Sequence, residues 1–186
     1  MGFQMQSKVR FITIGYIERR KGQDLLIDAI ELLSKDIKEN AEFILIGDNT
    51  SHLAFEIANR IKDFNYIKMI GSVSRDEIHR FLDNSDIMIC PSREDPMPTV
   101  CAEAMMHKVP CLVSDAIGTA ACIKNEYDGL IFKREDVNDL YNKIKWCINN
   151  KSKIRKMGEK SFEIYKRYFS QNVFETNLLK YVEEMV

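Results

Sequence analysis

Two acids in the segment REDPMPTVCAE, Asp95 and Glu103, lie eight residues apart on either side of a predicted helix start. Pro98 lies between them, and proline is favoured at the first position of a helix, where its missing N–H would have no partner. The amides of residues 99–101 would then be free, and free amides at a helix N-terminus favour a phosphate. The spacing therefore predicts an anion site between the two carboxylates.

The two carboxylates can hold hydroxyl groups on either side of that phosphate. Helical side chains lean towards the helix N-terminus, so the carboxylate of Glu103 can reach back to the ligand. Asp95, in the preceding loop, can accept hydrogen bonds from hydroxyls on the far side, because a carboxylate has two acceptor oxygens. This combination predicts a nucleotide-sugar site. The alternative is that an N-terminal acid complements the helix dipole and that Glu103 is solvated.

A basic loop precedes the first predicted helix and supplies a second anion-binding group. Its residues are Arg19, Arg20 and Lys21. Lys21, at the helix start, can pair with a phosphate, and the alternative is a solvated basic loop. Neither G-x-G-x-x-G nor G-x-x-x-x-G-K-[ST] occurs, so the dinucleotide fingerprint and the P-loop are excluded.

Three predicted strands end in glycine, at Gly15, Gly47 and Gly71. Open parallel sheets bind ligands at the carboxyl ends of their strands, and glycine lets the backbone approach a ligand closely. One such glycine is ordinary in a loop, but three at equivalent positions favour a binding site.

Strands and helices alternate along the chain and must position these residues. Apolar runs predict strands at 9–15, 42–47, 66–71, 86–91, 109–114 and 129–132, and helical spacing predicts helices at 21–33, 52–64, from Ser74 with Glu77 as its capping partner, and 98–108. Nearly continuous apolar strands are typical of a parallel sheet covered on both faces. We predict an α/β domain with a doubly wound, mostly parallel sheet of about six strands. Segments 136–149, 152–169 and 171–185 predict a helical C-terminal tail.

Length and composition indicate one ordinary globular domain of 186 residues. A net charge of −1 argues against a nucleic-acid partner, and no apolar run is long enough to span a bilayer. Residues 1–7 read as a leader that abuts a domain boundary, followed by a Rossmann-like domain at 8–135 and its helical tail at 136–186.

Metal binding is not predicted. The five cysteines include no C-x-x-C pair, so we expect reduced, buried thiols in a cytosolic protein. No Asp-x-Asp motif occurs; the pair Asp83 and Asp86 comes near it but is separated by two residues instead of one. The three histidines, His52, His79 and His107, are not expected to converge.

Several blocks in order resemble the C-terminal, donor-binding half of a GT-B-fold retaining glycosyltransferase of glycosyltransferase family 4, the glycosyl transferases group 1. The similar blocks are G-x5-K-G from Gly15 to Gly22, FILIGD (43–48), MIGSVSRDEIHRFLDNSDIMICPS (69–92), DPMPTVCAEAM (95–105) and VPCLVSDAIGTA…DGLIF (109–132). The resemblance spans roughly residues 8–135 and implies one Rossmann-like half of the GT-B fold.

The resemblance implies a role for each matching residue. Lys21 neutralises the donor diphosphate, Glu103 holds the ribose hydroxyls and Asp95 holds the sugar hydroxyls; these three are the expected catalytic residues. The backbone at Gly71 and Ser72 lies against the base, and the amides at the helix start bind the phosphates. The expected donor-binding set is Gly15, Arg20, Gly71, Ser72, Glu94, Met97, Pro98, Thr99 and Val100.

The sequence departs from the family pattern at several positions. Asp95 stands where the family has glutamate, which leaves Glu94 as an alternative. Tyr16 replaces a frequent arginine, for which Arg19 or Arg20 can compensate. Pro98 removes one amide from the phosphate cradle. A frequent glycine pair appears as Ile117–Gly118, and an acid often found soon after it is Ala121.

The expected function is transfer of a hexosyl group from a UDP- or GDP-sugar to a polysaccharide or lipid-linked acceptor, with no metal or cofactor. The resemblance implies an N-terminal acceptor-binding domain as partner, so this chain is expected to be an excised or natural half that binds donor weakly and transfers nothing alone. The expected location is the cytoplasm, peripherally at the inner membrane face for the full-length enzyme. Alternatives are half of a GT-B-fold UDP-sugar epimerase and a non-catalytic nucleotide-binding α/β module.

Overall fold

The structure, a computed structural model, describes residues 8–184 of the chain. The strands are β1 (Val9–Ile14), β2 (Ala41–Ile46), β3 (Ile67–Ile70), β4 (Ile87–Cys90), β5 (Cys111–Ser114) and β6 (Leu130–Phe132). The α-helices are α1 (Gln23–Glu31), α2 (Lys35–Lys38), α3 (His52–Ile61), α4 (Arg75–Asp83), α5 (Thr99–Met106), α6 (Val137–Asn149), α7 (Lys151–Ile164) and α8 (Gln171–Glu184). The predicted leader at residues 1–7 lies outside the described residues.

All six strands form one parallel sheet in the order β3-β2-β1-β4-β5-β6. Phe11 of β1 pairs with Phe43 of β2 on one side and with Ile87 of β4 on the other, so β1 is central. The strand order reverses between β1 and β4. Open parallel sheets bind ligands beyond the strand ends at such a reversal, and the region around the loops after β1 and β4 is here named the crevice. The predicted doubly wound, Rossmann-like α/β fold is confirmed.

Successive residues of each strand pack into separate cores on the two faces of the sheet. Phe11, Phe43 and Ile87 lie in the core with α1, α3 and α6, whereas Ile12 and Ile44 lie in the core with α4 and α5. Both faces are therefore apolar, which explains the nearly continuous apolar strand sequences. Fully burying each such side chain contributes about 1.5–3 kcal/mol to folding.

The first helix begins later than its predicted start at residue 21. Arg19–Lys21 form a 3-10 turn, and Gly22 adopts the left-handed conformation with φ 72° before α1 begins at Gln23. A Cβ at Gly22 would overlap the carbonyl oxygen of Pro91, so glycine is needed for both backbone conformation and space. The turn brings the loop after β1 against the loop after β4.

The predicted start of α4 is confirmed by its capping box. The hydroxyl of Ser74 accepts a hydrogen bond from the amide of Glu77, and the Glu77 carboxylate accepts one from the amide of Ser74 at 2.9 Å. These reciprocal bonds satisfy two amides at the helix start. The short helix α2 was not predicted, because four residues are too few to show helical spacing.

The predicted helical tail is present, with one difference. The helix predicted at 152–169 ends at Ile164 and continues as a π-helix over Tyr165–Phe169. Helices α6 and α7 pack on the sheet domain, whereas α8 exposes large apolar side chains, among them Phe174, Leu178, Leu179 and Val182. Within residues 8–184, no helix combines the length and apolar character needed to cross a membrane.

Candidate functional site

The crevice between β1 and β4 brings Lys21 and Asp95 together. Lys21 ends the 3-10 turn after β1, and Asp95 lies in the loop after β4. Lys21 Nζ lies 2.6 Å from Asp95 Oδ2, and only 19% and 10% of the two side chains are exposed. The Coulomb attraction within such a shielded pair is stronger than at the surface, because less water screens it, and removing both charges from water costs free energy in return.

Helix α5 begins four residues after Asp95, at the end of the same loop. Pro98 is the N-cap of the helix, and Thr99 is its first residue. The amides of Thr99 and Val100 donate to no group within residues 8–184, as predicted. The prediction that the Cys101 amide is free was wrong: it donates to the Pro98 carbonyl at 3.0 Å, because the first turn is tightened.

The predicted acid inside α5, Glu103, is half-buried. Its carboxylate makes no hydrogen bond and no ion pair to any part of the chain that the structure describes. Glu103 follows Thr99 by four residues and Val100 by three. Its side chain therefore lies on the same face of α5 as those two residues, which begin the helix. An unpartnered, half-buried carboxylate beside free amides is suited to accept hydrogen bonds from a ligand.

The structure distinguishes the two neighbouring acids, Asp95 and Glu94. Asp95 is buried and pairs with Lys21, whereas Glu94 is exposed and offers only its carbonyl, to Arg20 at 3.4 Å. The backbone of Asp95 is fixed by Gly118, whose amide donates to the Asp95 carbonyl at 3.0 Å. The geometry favours Asp95 as the group that faces the crevice.

Gly118 lets the segment after β5 approach the loop that carries Asp95. A Cβ at Gly118 would overlap the carbonyl oxygen of Pro96, and Ile117 forms a parallel bridge with Asp95. The segment Gly118–Cys122 then forms a 3-10 turn. Where the family often has two glycines, this chain has Ile117 and Gly118, and the glycine at the second position is the one that this close approach requires.

The other predicted donor-binding residues surround the crevice more loosely. The Arg20 side chain pairs with Glu18 at 2.9 Å and donates to the Glu94 carbonyl at 3.4 Å. A Cβ at Gly15 would meet nothing within 4 Å, although its φ of 146° is unfavourable for other residues. Met97 is exposed.

Gly47 is needed for packing and does not border open space. A Cβ at Gly47 would overlap the carbonyl oxygen of Gly15, so this glycine allows the loops after β1 and β2 to touch. Gly71, at the end of β3, is different, because its nearest neighbour is the side chain of Asn49 at 3.8 Å from a Cβ position. Ser72, next to it, is exposed.

One arginine of the site, Arg93, was not predicted. Its guanidinium makes two hydrogen bonds to Asp24 of α1, at 2.8 and 3.0 Å, and its amide donates to the Arg20 carbonyl at 2.8 Å. Burial raises the pKa of Asp24, but the hydrogen bond and charge of Arg93, with the charge of Arg19, outweigh it and lower the pKa. The sequence signal was only its place two residues before Asp95.

The prediction that no histidines converge was wrong for His79 and His107. Their Nδ1 and Nε2 atoms lie 2.7 Å apart, and His107 Nδ1 lies 2.6 Å from Asp83 Oδ1. They lie on α4 and just after α5, helices that are neighbours in space but distant in sequence. Within residues 8–184, no three His, Cys, Asp or Glu side chains are arranged to hold a metal ion.

The cysteines are unpaired, and four of the five are buried. Hydrogen bonds among buried thiols, together with burial, hold the pKa values of Cys90 and Cys101 well above the usual range, so neither is a reactive thiolate. Cys122 is half-buried, which corrects the prediction for that residue.

Known proteins resemble this chain in sequence and structure. A family model described as "Glycosyl transferases group 1" matches residues 4–163. "Uncharacterized glycosyltransferase MJ1178" of Methanocaldococcus jannaschii is 31% identical over 155 residues, which is 83% of this chain and 42% of the relative. The UDP-Gal:alpha-D-GlcNAc-diphosphoundecaprenol alpha-1,3-galactosyltransferase of Escherichia coli is 26% identical over 149 residues, 76% of this chain and 37% of that enzyme.

The chain also resembles a solved structure in fold. The crystal structure of Anabaena Alr3699/HepE in complex with UDP-glucose superposes with a TM-score of 0.84 at 20% identity, over 95% of this chain and 49% of that one. The chain thus spans less than half the length of the curated relatives it matches. The match over most of its length confirms the predicted family: this chain belongs to the glycosyl transferases group 1.

Proposed function

We propose that this chain is the nucleotide-sugar donor-binding half of a retaining glycosyltransferase. It holds a UDP- or GDP-hexose whose hexosyl group passes to a polysaccharide or lipid-linked acceptor. The observation that carries the proposal is the juxtaposition of the Lys21–Asp95 ion pair with the free amides that begin α5 and the unpartnered carboxylate of Glu103.

Each group in this arrangement can hold one part of the donor. The diphosphate lies between Lys21 and the first amides of α5, where a lysine and a helix N-terminus both favour negative charge. Glu103 accepts hydrogen bonds from the ribose hydroxyls. Asp95 uses one oxygen for Lys21 and has its second, Oδ1, without a partner among the described residues, so Oδ1 accepts hydrogen bonds from the sugar.

The same groups favour departure of the nucleoside diphosphate. Negative charge grows on the diphosphate as the glycosidic bond breaks, and preorganised positive groups stabilise that charge without reorganisation. Lys21 and the α5 amides supply this stabilisation, so no metal is needed. Neither Asp95 nor Glu103 has to transfer a proton in this scheme; both position the donor.

The rest of the active site is proposed to come from an N-terminal acceptor-binding domain. Residues 8–135 hold the donor, and the tail at 136–186 reaches towards that partner. The exposed apolar side chains Phe174, Leu178 and Leu179 of α8 give the partner a surface to cover. We place the full-length enzyme in the cytoplasm, peripherally at the inner membrane face when its acceptor is lipid-linked.

Nucleotide binding tests the donor site directly. We expect one of UDP, GDP and ADP to raise the melting temperature, since a ligand at ten times its Kd stabilises by about 1.4 kcal/mol, or about 3–5 °C for a chain of this size. Glu103→Ala should weaken that nucleotide about 10-fold or more, the loss of a charged hydrogen bond, and leave the ligand-free melting temperature unchanged.

Glu56→Ala is the matched control, because Glu56 is an exposed helical acid on α3, outside the crevice. It should bind the nucleotide like the parent chain. No stabilisation by any of the three nucleotides, with no effect of Glu103→Ala, would contradict the donor site. Robust glycosyl transfer by this chain alone would contradict the proposed need for a partner domain.

A further inference from the structure

Arg93 joins the loop that carries Asp95 to the loop that carries Lys21. Its Nη1 lies 2.5 Å from the Arg19 carbonyl and 2.8 Å from Asp24 Oδ1, and its Nη2 lies 3.0 Å from Asp24 Oδ2. The guanidinium makes its fourth contact through Nε, which lies 3.0 Å from Glu135 Oε1. Arg93 thus connects three separate segments of the chain.

These contacts bracket Lys21 on both sides along the chain. The Arg93 guanidinium holds the carbonyl of Arg19, the Arg93 amide holds the carbonyl of Arg20, and the guanidinium also holds the side chain of Asp24. Asp95 follows Arg93 by only two residues. Arg93 therefore ties the backbone on both sides of Lys21 to the segment that carries Asp95.

The Arg93–Asp24 pair is shielded enough to keep this geometry. Only 19% of the Arg93 side chain and 11% of the Asp24 side chain are exposed. The hydrogen bond to Asp24, followed by that to Glu135 and both charges, outweighs burial and raises the pKa of Arg93, which stays charged. Lysine could not replace it, because a single ammonium cannot reproduce the planar fork that meets both oxygens of Asp24.

We propose that Arg93 is a positioning residue of the donor site. It contacts neither the diphosphate nor the sugar, and it sets the spacing of Lys21 from Asp95 so that the two groups hold adjacent parts of one ligand. This inference rests on the proposed donor site. Misplacement of a positioned group by about 1 Å can lower a reaction rate by up to about 100-fold. We expect the loss of donor affinity to be measurable as well.

A second arginine that pairs with acids of α1 provides the control. Arg60 pairs with Asp28 and Glu31 of α1, at 2.7 and 2.8 Å, and 35% of its side chain is exposed. It too joins separate elements, α3 and α1, through two carboxylates. It lies outside the crevice, so Arg60→Lys matches the structural loss of Arg93→Lys without changing the site.

A double-mutant cycle tests whether Arg93 acts through Lys21. Affinity for the nucleoside diphosphate that binds the parent chain best is measured for Arg93→Lys, Lys21→Met and the double variant. We expect Arg93→Lys to weaken binding about 10-fold in the parent chain and less than about 2-fold in Lys21→Met, because coupled residues are non-additive. Arg60→Lys should lower the melting temperature comparably and leave affinity unchanged.

Each other outcome overturns a definite statement. Additive losses, or equal binding by Arg93→Lys and the parent chain, overturn the positioning role and leave the donor site intact. A parent chain that binds no nucleoside diphosphate overturns both. Glu135→Gln removes the charge of exposed Glu135 and weakens its contact with Arg93, together with its 3.7 Å pair with exposed Arg134. The variant should fold normally, so its smaller loss of affinity, about 2–3-fold, keeps the test decisive if Arg93→Lys is unstable. No loss in Glu135→Gln, with Arg93→Lys unfolded, would count against the proposal.

Discussion

The two halves of the ligand-binding edge are built differently. The half formed by the loops after β1 and β4 holds the Lys21–Asp95 ion pair, the Arg93 contacts and the close approach of Gly22 to Pro91. The other half is formed by the loop after β3, where Gly71 and Ser72 face little protein, whereas the loop after β2 is packed against the loop after β1 at Gly47. The chain fixes one half tightly and leaves the other open.

The difference follows from what each half is proposed to bind. Charges interact over a few ångströms with energies that depend steeply on distance and shielding, so groups that hold a diphosphate need fixed positions. A base lies against the backbone by its flat face, and this contact tolerates small displacements. Substitutions should therefore affect the β1/β4 half strongly and the loop after β3 weakly.

The largest contrast is expected between two glycines, one in each half. Gly22→Ala should lower the free energy of unfolding by about 2–4 kcal/mol, since left-handed backbone costs an alanine about 1 kcal/mol and overpacking a further 1–3 kcal/mol. Gly71→Ala, which has neither a positive φ nor a close neighbour, should change it by less than about 0.5 kcal/mol. Urea unfolding of both variants measures the difference. Equal losses would show that the two halves are packed alike.

A smaller effect, with opposite signs for two ligands, is expected at Asp95. Asp95→Asn removes the negative charge beside the proposed diphosphate and leaves Lys21 without its partner. Affinity for the free nucleoside diphosphate should therefore rise about 3–10-fold, and affinity for the nucleotide sugar should fall by a similar factor, each about 1 kcal/mol. Calorimetric titration with both ligands measures this inversion.

Glu94→Gln is the control for that inversion, because Glu94 is the exposed neighbour of Asp95. It should leave both affinities within about 2-fold, the usual range for an exposed charge. If Glu94→Gln produced the inversion and Asp95→Asn did not, Glu94 would be the acid that holds the sugar.

Local sequence pattern was enough to predict the architecture. Alternating apolar strands and helices, with glycines after β1, β2 and β3, gave the doubly wound sheet and the edge at which ligands bind. Those signals are short-range, because strand burial and helix spacing each depend on a few consecutive residues. Lys21 and Asp95, which the motifs assigned to one site, meet as an ion pair.

Contacts between side chains distant in sequence could not be predicted. Lys21 and Asp95 are 74 residues apart, so nothing local showed that they pair with each other. Arg93 looks like one more charge in the polar segment RED, and its burial against Asp24 emerges only when two loops meet. His79 and His107 were missed for the same reason, since their contact depends on the packing of α4 beside the end of α5.

The smallest effect is expected in the open half, at Ser72. Its side chain is exposed, so Ser72→Ala should change the free energy of unfolding by less than about 0.5 kcal/mol. The proposed contact with the base is made by the backbone and by the flat face of the base. Affinity for the nucleotide should therefore change by no more than about 2-fold, within the roughly 0.5 kcal/mol expected of an exposed position. The ratio of UDP to GDP affinities, measured for Ser72→Ala and the parent chain, reports on the base alone. A loss as large as that of Glu103→Ala would mean that the Ser72 hydroxyl reads the base directly, and the open half would then be a specific one.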